Sequence, residues 1–118
     1  MKKKHMDSMM GIIWAEVKRV RDEGQKEYAQ TEDNVFANFE RVSESLYLSR
    51  QQVLMTYLLK HIDGITSYIK GHQSQREEVT GRITDAIVYL TLLWAMIEED
   101  EQKFKEGWED YEENQGIV

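Results

Sequence analysis

The twelve residues from Ala86 to Ile97 limit the fold of this chain more than any other feature. Ala86, Ile87, Leu90, Trp94 and Ile97 continue an apolar stripe begun by Val79 and Ile83 at helical spacing. Val88, Leu92, Leu93 and Met96 fill the far side. A helix that is apolar all round is buried all round. The run contains Thr91 and falls short of the roughly 20 residues that a bilayer span needs. It therefore reads as the central helix of a bundle in a soluble, cytoplasmic protein. Four helices of this size cannot cover it alone. The expectation is an all-α, four-helix-bundle-like single domain, completed by a second subunit in a two-fold dimer or a higher homo-oligomer.

Composition supports long helices. None of the 118 residues is proline, the main helix breaker. None is cysteine, which excludes a disulfide scaffold, thiolate zinc and cysteine catalysis. A hydrophobic share of 41% is too high for a disordered chain. The net charge of −7 is local: residues 98–118 hold nine acids and two lysines, while residues 1–97 hold thirteen of each sign. Mimicry of DNA would need that charge spread over a folded face, so a solubilising acidic tail is the simpler reading. Within it, Trp108 and Tyr111 could dock on the body or on a second subunit. The domain organisation expected is a flexible basic start over residues 1–5, a helical domain over 6–103 and the acidic tail over 104–118.

Four helices are readable. The first runs from about Met6 to Ala29, with Met9, Ile13, Val17 and Val20 at helical spacing and Gly24 weakening its last third. Residues 30–34 break the pattern, and Asp33 or Asn34 would cap a short second helix over about Val35 to Leu46. Ser49 and Gln52 form a capping box for a third helix ending near Lys70, with Gly71 as its stop. On it Leu54, Leu58, His61, Ile62, Ile65 and Ile69 share a face. A polar connection over 71–76 leads to the fourth helix, from about Glu77 past Ile97.

Three groupings carry candidate chemistry. Glu78, Arg82, Asp85 and Tyr89 are spaced by four, three and four residues, which makes one narrow polar stripe entering the apolar part of the fourth helix. A buried Asp85 needs a partner, and Arg82 stands one turn away. The stripe reads either as a structural salt bridge with a tethering Tyr, or as a site in which Arg82 and Lys60 take phosphate and Asp85 takes a base, a sugar hydroxyl or a metal. Asp33, Asn34, Asn38 and Phe39, just after Tyr28, read either as a capped helix start or as a pocket lip that reads a base edge and stacks on it. His61, beside Lys60, lies on an apolar face, where a histidine is more often a hydrogen-bonded core residue. It has no second His at metal-ligand spacing, so zinc is not expected. No metal site and no cofactor are expected; were magnesium to bind, Glu78 and Asp85 are the candidates. There is no phosphate loop, no nucleophile elbow and no basic stripe with interleaved aromatics for nucleic acid.

The stretches Glu27-Tyr28-Ala29, Asp33-Asn34-Val35-Phe36-Ala37-Asn38-Phe39, Lys60-His61 and Gly81 to Leu90 resemble the small all-α phage proteins grouped as nucleotide modification associated domain 1. The resemblance covers about residues 16–98. It implies a phage protein, acting in the bacterial host, that handles nucleotides. The residues matching its pattern are Tyr28, Asn34, Asn38, Phe39, Lys60, Arg82, Asp85 and Tyr89. The architecture also resembles all-α nucleotide pyrophosphatases of the MazG and dimeric dUTPase type, which hold magnesium with paired acids on successive helices. Here the acids are seven apart and the third helix offers only Asp63, so the chain departs from that pattern. Three functions follow as expectations: sequestering a nucleotide or nucleotide-like molecule, such as a host immune signal; magnesium-dependent hydrolysis of one; or counter-defence by contact with a protein, through the acidic tail and without a small ligand.

Overall fold

The computed structural model describes residues 1–29, 32–72 and 76–114, with side chains to residue 106. Among them are four α-helices and no strand: α1 (Lys3–Gly24), α2 (Ala37–Leu46), α3 (Arg50–Ile69) and α4 (Val79–Asn114). The chain is an all-α, bundle-like single domain. A π-helical turn, Gln25–Ala29, prolongs α1. Lys3 and Lys4 are already helical, with Lys2 as the extended N-cap residue, and Lys3 pairs with Asp7 one turn on at 2.8 Å. Trp108 and Tyr111 lie outside the described side chains.

Local signals set most of the ends. Asn34 Oδ1 accepts from the Phe36 N–H at 3.0 Å, and its Nδ2 donates to Glu40 at 2.8 Å, so the chain turns into α2 as an Asx-type start. α2 closes on Tyr47 in the left-handed region, at φ 56°. The Leu48 N–H then reaches back to the Ser43 carbonyl at 3.2 Å, the Schellman arrangement. Ser49 and Gln52 satisfy each other's backbone N–H groups at 3.1 and 2.8 Å, the capping box expected of α3. Gly71, at φ 95°, follows α3 in a conformation that glycine alone adopts cheaply.

α3 and α4 form an antiparallel hairpin. Arg50 at the start of α3 meets Met96, Glu99 and Asp100, whereas His61 further along meets Asp85. α1 packs on α4 and α2 on α3, making a second layer on one side of the hairpin. Between the layers Phe36, Phe39, Val53, Leu54 and Met96 are buried, with Val42, Tyr89, Leu92 and Leu93 packed on them. Arg50 ties the elements together. Its side chain is only 11% exposed, and it reaches Glu40 on α2 at 3.0 Å and Glu99 and Asp100 on α4 at 2.9 and 2.7 Å. Its guanidinium also lies 4.9 Å over the Phe36 ring.

The fourth helix is not enclosed. Val88 and Met96 are buried, but Leu90, Trp94 and Ile97 are exposed. On α3, Leu54, Leu58, His61 and Ile65 turn inward, and Ile62 and Ile69, expected on the same face, lie outside it. By length and composition Val79–Glu106 could also cross a membrane, a test that the core helix of a soluble protein passes equally.

Candidate functional site

The end of α1 builds the first wall of a cleft. Arg21, Gly24 and Tyr28 follow one another at three and four residues, so they share a helical face, and the wider π turn carries that face past Gly24. Asn38 and Phe39 of α2 and Asp85, Val88, Tyr89 and Leu92 of α4 complete the cleft, about 110 Å³ in volume. Of the eight residues singled out in the sequence, Tyr28, Asn38, Phe39, Asp85 and Tyr89 line it together. Asn34 does not; its amide is engaged in starting α2. Lys60 is exposed on α3, outside the lining, and forms no ion pair among the described residues. Arg82 also lies outside it. Its guanidinium runs over α3 at Gly64, where a Cβ would collide with it.

Rings set the floor. Tyr89 stands 6.3 Å from Tyr57, nearly parallel to it, and 6.3 Å from Phe39, edge to face. The His61 ring lies 5.6 Å away on another side. Burial, and after it the Asp85 carboxylate, pushes the Tyr89 phenol up to about 12, so it stays a neutral donor at any physiological pH. Burial also raises the Asp85 carboxyl; Glu77 adds to this, while His61 and Arg82 oppose it. Tyr28 is raised chiefly by the neighbouring Glu27 carboxylate. The His61 Nε2 lies 3.7 Å from Asp85, too far for a hydrogen bond, and its Nδ1 and the Nε of Arg82 are buried with no partner among the described residues.

Ligand atoms of His61, Glu77 and Asp85 lie within 4.8 Å of one another, a spacing that would hold a metal ion. No metal site was expected from the sequence, Glu78 and Asp85 being named only as candidates; the grouping includes Asp85, with Glu77 rather than Glu78. Arg21 is the cation that lines the cleft, and sequence reasoning missed it; its spacing of seven from Tyr28 was the signal. The cleft thus offers ring faces, one carboxylate, two side-chain amides, from Gln25 and Asn38, and one guanidinium. That set suits a planar, hydrogen-bonding group with an anionic substituent. No protein-family model, no curated protein and no solved structure matches the chain.

Proposed function

We propose that the protein binds and sequesters a nucleotide-like ligand in the cleft between the end of α1 and α4. The observation carrying this reading is the convergence of Tyr28, Asn38, Asp85 and Tyr89 with Arg21 on one cleft. A volume of about 110 Å³ suits a single ring system and is below the roughly 300 Å³ at which pockets enclose drug-sized ligands. The base would enter between Tyr28 and Tyr89, with Asp85 and Asn38 on its polar edge. Sugar and phosphate would lie along the mouth, where Arg21 replaces Lys60 and Arg82 as the phosphate partner. The motif resemblance to phage nucleotide proteins points to the same ligand class.

Thermal shift and calorimetry against mononucleotides, modified deoxynucleotides, cyclic dinucleotides and ADP-ribose derivatives test the reading. One class should bind stoichiometrically and be recovered intact after denaturation. Arg21→Ala and Asp85→Asn should each weaken that binding at least about tenfold, the loss of one charge-assisted contact. No binding across the panel would reject the reading.

The grouping of His61, Glu77 and Asp85 favours a second reading, metal-assisted phosphoanhydride hydrolysis. One imidazole with two carboxylates suits zinc or manganese better than magnesium, which prefers oxygen ligands throughout. Ligand turnover that appears with manganese and vanishes with chelator would select it over sequestration.

A further inference from the structure

The outer side of the α3–α4 hairpin carries apolar residues that are left largely uncovered among the described residues. On α4, Ile83, Ile87, Leu90, Trp94 and Ile97 repeat at four and three residues; on α3, Met55, Leu59, Ile62 and Ile69 fit the same repeat, with Thr66 in its remaining place. This is the heptad spacing of helices that pack on other helices. Leu59, Leu90 and Trp94 are 53%, 52% and 70% exposed.

The two stripes share one side of the molecule. Val88 and Leu92 of α4 line the cleft against α1, and Tyr57 of α3 meets Phe39 of α2. Leu90 is two residues from both Val88 and Leu92, and Leu59 is two from Tyr57. Two residues turn a helix by about 200°. Each stripe therefore faces away from the layer made by α1 and α2. Together they form a two-helix face rather than scattered exposed residues.

Its size points to the occupant. The chain exposes 9244 Å², whereas a compact monomer of 14.0 kDa exposes roughly 6,700 Å². Part of the surplus is the end of α4, whose residues 101–106 are all exposed, and part is the start of α1, whose residues 1–12 are exposed as well. The large apolar side chains of the outer face, from Met55 at 38% to Ile69 at 76% exposed, add apolar area on the scale of the roughly 800 Å² that each partner contributes to a standard interface. A face made of two antiparallel helices in heptad register is self-complementary, because a two-fold axis sets hairpin on hairpin as a four-helix core.

We propose that the protein is a two-fold homodimer closed by the outer faces of its α3–α4 hairpins. This stands independently of the ligand reading, since the cleft lies on the other side. Light scattering on the full chain at micromolar concentration should give twice 14.0 kDa. Leu90→Glu and Leu59→Glu should halve that mass while circular dichroism retains the helical signal, because both side chains are already exposed in the single chain. A monomeric wild type would overturn the proposal, whether or not it binds neutral lipid vesicles. So would dimers that survive both substitutions. Should a glutamate variant unfold, single thiols decide, since the chain has no cysteine of its own. Leu90→Cys should be cross-linked into dimers by a short bis-maleimide and Glu44→Cys, on α2, should not; the reverse pattern would overturn the assignment of the face.

Discussion

Tyr47 holds φ 56° while its side chain is 96% exposed, so no packing compensates for its left-handed backbone. That conformation costs a non-glycine residue roughly 1–2 kcal/mol. Glycine removes the cost but enlarges the unfolded ensemble. Tyr47→Gly should therefore stabilise the protein by about 0.5–1 kcal/mol, seen as a higher urea midpoint at unchanged slope. An unchanged or lower midpoint would mean that the entropy glycine adds to the unfolded chain outweighs the backbone strain it relieves. Legibility is also uneven at this scale. Ser49 and Gln52 announce their capping box because its partners are three residues apart. Asp85 and Tyr89 are likewise visible, as polar residues entering an apolar run. Arg21 and Glu77 were not, for different reasons: one sits on an ordinary charged helix face, and the other precedes its helix, where spacing carries no angular information.

Between elements, the Arg50 cluster has no sequence signature at all, since Glu40, Glu99 and Asp100 stand ten to fifty residues away. Periodicity finds a helix and its apolar face, but not which ends of two helices meet. Arg50→Ala should cost about 2 kcal/mol, less than the roughly 3–5 kcal/mol for breaking a fully buried pair, because the three carboxylates can still reach water. Arg50→Lys should recover only part, since a point charge cannot serve three acids and cover the Phe36 ring. Chemical denaturation of the three proteins checks both expectations. The cluster also sets a pH dependence. Hydrogen bonds from Lys103, and then Arg50, hold the Glu99 carboxyl below the usual glutamate range. The native state thus takes up a proton at lower pH than the unfolded chain. The stabilisation is complete above the ordinary value of about 4.3 and is lost as pH falls through the lower folded value. Glu99 is partly exposed, so the effect is small. It should appear as a shallower acid limb in Arg50→Ala than in the wild type, and equal limbs would remove Arg50 from the account.

At the scale of the whole molecule, an α-helical bundle was legible because four amphipathic segments, with no proline among them, leave few other architectures. What stayed hidden is the sidedness of the hairpin. Ala86 to Ile97 reads as apolar all round, but only the packed arrangement shows which half meets α1 and α3 and which half is left open. That sidedness separates the two proposed roles in space, with the cleft against α1 and α2 and the open face behind it. If the open face closes a dimer, apparent stability depends on mass action. A tenfold rise in concentration then adds about 1.4 kcal/mol per dimer, and roughly 3 °C in Tm for a unit of this size. Leu90→Glu should abolish this concentration dependence and leave ligand affinity in the cleft unchanged. Asp85→Asn should weaken the ligand and leave the concentration dependence intact. Scanning calorimetry over a hundredfold range of protein concentration, with and without a nucleotide that the binding panel selects, reads both. Loss of both properties in either variant would mean that cleft and open face are coupled through α4, and the separation drawn from its two sides would be wrong.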